Sequence, residues 1–214
     1  SSQMALINDL SHLPPPDAVR NAMRCSAMLD IVLCDTEWLR SYDYQPKWSD
    51  NASMAEYDDG SGNVMFAFFR DADAIIKGFD HESPVSPYNR SPCSVWPGIY
   101  DGVPSFLDEL LHDPAVRRDD VTFCVWHTSG RWQCGSMTFP NDEEDGSSRL
   151  LATILLTPDA YCDWAREYYE RDLDPAIVAE VYAGTSVDVD LIAALNPDRD
   201  LEAALAELSE LADA

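Results

Sequence analysis

Apolar positions change their period four times along the chain. Between residues 16 and 34, Val19, Ala22, Met23, Leu29, Val32 and Leu33 recur at helical spacing, which predicts one amphipathic helix. Pro16 suits its first turn, and Asp17 stands near the positive end of the helix dipole. The stretch SYDYQPKW that follows reads as a polar, aromatic link. Three strand-like runs come next, over residues 52–57, 63–70 and 74–79. Asp58-Asp59-Gly60-Ser61-Gly62 and Asp71-Ala72-Asp73 separate them, so the runs are expected to pair as antiparallel neighbours. Pro104 opens a short helix, PSFLDELLH, which must stop near Pro114. Residues 121–128 and 131–138 form a second hairpin around Ser129-Gly130, and the apolar run 150–156 reads as a last strand.

The C-terminal third returns to helical punctuation. Thr157 with Pro158, Asp174 with Pro175, Asp188 or Asp190, and Asp200 each mark a helix start, and Gly184 marks a left-handed stop. The fold class that follows is α+β: an antiparallel β-meander with an N-terminal helix and a C-terminal cluster of about four helices. Residues 1–214 read as one domain, with 157–214 its helical part. Ser1-Ser2-Gln3 reads as an appended remnant before a native Met4. Within the third run Ile75, Lys77 and Phe79 share a face, so Phe79 is expected to be buried. Lys77 is expected to snorkel to the rim or to pair with a carboxylate.

Charge narrows the partners. Asp and Glu number 39 against 14 Lys and Arg, for a formal net charge of −25. Such a surface repels phosphate backbones and anionic lipid, so neither nucleic acid nor a membrane is expected as a partner. It favours encounter with a basic protein. The same composition also serves plain solubility. No apolar run reaches the roughly 20 residues of a membrane span, and no signal-peptide pattern is present, so a cytoplasmic location is expected. The six cysteines form no CxxC pair; their even number permits three disulfides, but without a secretory signal reduced thiols are expected. Cys124 and Cys134 lie on adjacent strands where they are able to face each other.

Side chains with chemistry concentrate between residues 75 and 104. Asp80-His81-Glu82 is the sharpest polar cluster, with Asp101 the nearest further carboxylate in the segment. In extended backbone Asp80 and Glu82 share a face and His81 points away, so the triplet does not by itself make a metal site. A metal would have to recruit distant residues such as Asp101 or Glu56, and no metal or cofactor is expected. The structural alternative is that the carboxylates accept backbone N–H groups in the Ser/Pro loop. Tyr88, Trp96 and Tyr100 are able to wall a ligand pocket; Trp96-Pro97-Gly98 reads first as a buried anchor beside a turn that needs glycine. Asp142, Glu143, Glu144 and Asp145 form an acidic loop suited to a basic partner. His127 precedes a hairpin turn, and there is no GxSxG elbow, Walker loop or GxGxxG.

The segments IKGFDHES, WPG-x-x-D-x-x-P and DWAREYYERD together resemble a bacterial protein family whose activity is uncharacterised, over residues 48–197. That resemblance carries no activity with it. Size and acidity are also similar in style to those of immunity proteins, which neutralise toxins. The expected function is therefore an acidic protein-binding module, of immunity or antitoxin type, that docks a basic partner. The alternative is a small hydrolase or metal-dependent enzyme using the Asp80–Glu82 loop. Oligomeric state is not set by the sequence.

Overall fold

In the computed structural model, which describes residues 10–137 and 144–212, six strands lie side by side in chain order. They are β1 (Tyr42–Ser49), β2 (Ala52–Asp58), β3 (Val64–Arg70), β4 (Asp73–Phe79), β5 (Phe123–Thr128) and β6 (Arg131–Cys134), and every pair is antiparallel. The helices are α1 (Pro16–Leu33), α2 (Ser105–Asp108), α3 (Ser147–Leu151), α4 (Pro158–Tyr168), α5 (Pro175–Tyr182), α6 (Val189–Leu195) and α7 (Leu201–Ser209). The α+β meander with an N-terminal helix and a C-terminal helical cluster is thus the observed architecture. No helix among the described residues is long and apolar enough to cross a membrane.

Two elements differ from the sequence expectation. Residues 42–49 are a strand, not a link: Tyr42 and Tyr44 turn inward and Asp43 and Gln45 outward, the period of a half-buried strand. β1 is an edge strand, which is why Pro46 is tolerated within it. The apolar run 150–156 is not a strand. Gly146 at φ 81° turns the chain into α3, and the run is consumed by that helix and the turns after it.

The two sheet faces have different covers. The face carrying Tyr42, Tyr57, Phe69 and Trp132 packs on α1, with Trp132 Nε1 donating to Pro14 O at 2.8 Å. Helices α5, α6 and α7 pack on α1 in turn. Caps form where Thr157, Asp174, Asp188 and Asp200 each accept a backbone N–H of the helix they open, at 2.9–3.1 Å. The opposite face carries the cross-strand row Glu56, Phe66, Lys77 and Cys124. The long connection from β4 to β5 lies over its β4–β5 side, burying Leu107, Leu111, Val116 and Val121.

A buried carboxylate joins three of these elements. Asp30, on α1, is fully enclosed; its Oδ2 accepts the N–H groups of Ser41 and Tyr42 at 3.0 Å each, and its Oδ1 accepts the Tyr161 hydroxyl of α4 at 2.8 Å. Burial pushes its pKa up to about 7, against the pull of those hydrogen bonds.

Cys134 pairs across the sheet with Val125, so Cys124 and Cys134 do not face each other, and all six cysteines are free thiols. Lys77 makes neither of its expected contacts. It is 2% exposed, and its Nζ donates to Val116 O at 2.7 Å and Arg117 O at 2.8 Å. The β4–β5 connection covers the rim toward which it would have snorkelled. Phe79 is only half-buried, at the strand end, with Tyr88 edge-on at 6.0 Å in place of a closed core.

Candidate functional site

The triplet that ends β4 is dispersed by its own hydrogen bonds. Asp80 is nearly buried; its Oδ1 accepts the Glu82 N–H at 3.0 Å and its Oδ2 meets Arg149 at 3.1 Å. Its own N–H donates to Thr122 Oγ1. His81 is exposed, its N–H donates to Asn63 Oδ1, and its ring lies against Gly62 of the β2–β3 hairpin. Glu82 is exposed and reaches His81 only at 4.0 Å. Asp101 is exposed on the turn that follows Trp96-Pro97-Gly98. Among the described residues no three His, Cys, Asp or Glu side chains are grouped to hold a metal ion.

The aromatic residues of the same segment are engaged one by one. Tyr88 is 64% exposed and its hydroxyl donates to Asp120. Tyr100 is half-buried, donates to Arg118 O at 2.6 Å, and carries the Arg118 guanidinium 4.1 Å above its ring. Trp96 is half-buried under Arg90, with the guanidinium 5.3 Å from its ring. The expected burial of Trp96 is incomplete because residues 91–94, just before it, are themselves exposed and give it no cover. Gly98 does take a positive φ of 93°, and a side chain there would strike Ser136 O.

In the acidic loop, Asp142 and Glu143 lie outside the described residues. Glu144 is exposed, and its carbonyl accepts the Ser83 hydroxyl. Asp145 is not a surface charge: it is 2% exposed, its Oδ1 accepts the Ser147 N–H at 2.9 Å, and burial pushes its pKa up to about 6. His127 pairs with Asp73 at 3.2 Å and meets Trp132 edge-on.

A more coherent site lies at the start of β1, and the sequence reading did not assemble it. A cleft of about 680 Å³ opens between the turn after α1, the β1–β2 ends and α7. Acidic residues dominate its rim: Glu37, Asp43, Glu56, Asp58, Glu207 and Glu210. Arg40 also lines it, but Glu207 already holds that guanidinium in a two-point pair at 3.0 Å per bond. Trp38, from the short helix Glu37–Leu39, stands at the mouth and is 85% exposed. Tyr168 forms the far wall, its hydroxyl donating to Leu39 O and its ring stacked on Trp164 at 4.9 Å.

Glu56 is the electrostatic centre of this cleft. Burial first, then Asp43 opposite it on β1 and Asp58 two residues on, push its pKa up to about 7, while Arg117 and Lys77 pull the other way. A carboxylate so crowded by its own sign gains from any cation brought into the cleft. The one local signal for this site was Trp38 in the polar stretch TEWLR; its partners come from residues 41–60, 168 and 207–211, too scattered to be joined without the fold. Comparison with known proteins found no matching family model, no matching curated sequence and no matching solved structure.

Proposed function

We propose that the chain is an acidic protein-binding module whose cleft at Trp38 docks an arginine- or lysine-rich segment of a partner protein. One observation carries the reading: an 85%-exposed tryptophan stands at the mouth of a cleft rimmed by carboxylates. An exposed indole is a strong anchor for a partner side chain, and a guanidinium over its face gains cation–π attraction. The net charge of −25 supplies long-range steering of a basic partner. An immunity- or antitoxin-type role is the concrete form of this reading. The carboxylates of the Asp80–Glu82 loop are less suited to a hydrolytic role, because Asp80 is held by Arg149 and a backbone N–H.

A decapeptide of arginine, titrated calorimetrically at low and raised salt, tests the proposal. Binding is expected, with an affinity that falls as salt rises. Trp38→Ala and Glu56→Gln are each expected to weaken it about tenfold or more, the scale of an interface anchor. Neutralising the exposed Glu180, away from the cleft, is expected to change little. Equal binding by wild type and Trp38→Ala sinks the assignment of the cleft.

A further inference from the structure

A second cleft, of about 400 Å³, opens on the same sheet face beside His81. Its floor is apolar, built from Val64, Phe66 and Phe79, and Lys77 sits among them. A buried lysine ordinarily carries a paired carboxylate. Among the described residues Lys77 has none within ion-pair distance, and its Nζ donates to two backbone carbonyls instead. Two acceptors match the two N–H bonds of a neutral amine and leave its lone pair unused. A third N–H, as in the ammonium form, would have only the face of Phe66, whose ring centre is 5.3 Å away. Burial accordingly lowers the pKa of Lys77 to about 8, with Arg117 acting in the same direction and Asp120 against it.

Arg117 completes the arrangement. It lines the cleft, is exposed, and forms no ion pair among the described residues. Its left-handed backbone, at φ 51°, accompanies the carbonyl that Lys77 binds. The cleft, whose wall also carries Asp58 and Asp120, therefore combines a desolvated amine with an uncommitted cation.

We propose that this cleft captures a small carbonyl compound bearing an anionic group, an aldehyde acid or 2-oxo acid, as an imine on Lys77. The amine lone pair adds to the carbonyl carbon, and the proton leaving nitrogen goes to the former carbonyl oxygen, giving a carbinolamine. Loss of one water then forms the C=N bond. No oxidant or reductant is needed, and hydrolysis reverses the step. Arg117 holds the anionic group, and the protonated imine keeps one N–H for a backbone carbonyl. This site does not depend on the docking reading of the Trp38 cleft.

The chain carries two lysines, Lys47 and Lys77, so the test has an internal reference. The folded protein is incubated at neutral pH with glyoxylate and cyanoborohydride, which traps an imine as a stable secondary amine, and labelling at each lysine is followed by peptide mass mapping. At neutral pH the deprotonated fraction of an amine of pKa about 8 exceeds that of an ordinary lysine about 300-fold. Lys77 is expected to label at least tenfold faster than Lys47, which is exposed on β1. Equal or faster labelling of Lys47 overturns the proposal. Arg117→Gln is expected to slow glyoxylate labelling of Lys77 severalfold and to leave labelling by the uncharged propionaldehyde unchanged. An equal effect on both aldehydes, or on neither, overturns the role of Arg117.

Discussion

Gly78 lies directly opposite Phe123 in the β4–β5 pair, and a methyl group on its Cα would sit 2.1 Å from the phenyl ring. Phe123 is fully enclosed, so its ring has no room to withdraw. The glycine is therefore a packing requirement of the strand rather than a conformational one.

Gly78→Ala is expected to cost about 1–3 kcal/mol, the range for overfilling a packed core. Phe123→Leu in the same chain should recover part of that loss, although Phe123→Leu alone destabilises. Denaturant unfolding of the four chains of this double-mutant cycle reads the coupling. Additive losses would show that the two residues do not compete for space.

Glu207 should be among the costliest surface-facing carboxylates to remove. It bonds Arg40 at two points and Arg199 at 2.7 Å, and both guanidinium groups are almost wholly enclosed. Glu207→Ala leaves two buried cations without a counter-charge, at a cost of about 3 kcal/mol. Glu202→Ala, on the exposed side of α7, should stay within about 0.5 kcal/mol of wild type. Arg40 holds the pKa of Glu207 below the ordinary value, so this contribution is present above the unfolded pKa and is lost as pH falls through the folded one.

Stability should fall as pH rises from about 4 to about 7. Asp30 and Glu56, at about 7, and Asp145, at about 6, all hold protons in the folded state that the unfolded chain releases near pH 4. The folded state then binds more protons, so stability falls as pH rises from about 4 to 7. Lys77 acts oppositely between about 8 and its ordinary value near 10.5, but the Cys25 and Cys124 thiols, pushed up by burial, keep protons in the folded state over the same range and offset it. Urea midpoints across pH 4–8 check the trend. Asp30→Asn should flatten the fall. A wild type more stable at pH 7.5 than at pH 5 contradicts the assignment.

Trp96 and Gly98 should now rank in an order opposite to that expected of a fully buried anchor. Trp96 is half-buried, so Trp96→Ala should cost only about 1–3 kcal/mol, below the range for an enclosed tryptophan. Gly98→Ala meets both a positive φ and a backbone oxygen 2.2 Å from the new methyl, and should cost at least as much. Thermal unfolding of the two variants orders them, and a Trp96→Ala loss well above that of Gly98→Ala would show that the indole carries more of the loop than its exposure implies.

What the sequence revealed tracks how local each cause is. The helix starts at Thr157, Asp174 and Asp200 were readable because a cap is decided within three residues, and that at Pro16 because proline suits a first turn. The central strands were readable because their turns carry Gly and Asp. β1 was missed because its alternation is written in Tyr against Asp and Gln, and Pro46 argues against any strand but an edge one. The 150–156 run was misassigned because a short apolar stretch has no period that separates buried helix from buried strand. Asp145 looked like surface charge until Ser147 and the cover over Thr122 enclosed it. Lys77 needed two carbonyls about 40 residues away, and the Trp38 cleft needed α7, at the far end of the chain.

The strand order follows the chain, so each new strand pairs with the one synthesised just before it. The sheet is then able to assemble progressively during translation. Helix α1 cannot be completed on that schedule. The carbonyl of Val32 receives the Asn196 side-chain amide and that of Ile31 receives Arg199, both from the last twenty residues of the described chain. Helix α1 is thus finished by residues that follow it by 164 and 168 positions, and a nascent chain stalled before α6 would carry a paired sheet beside a helix whose C-terminal end lacks these partners.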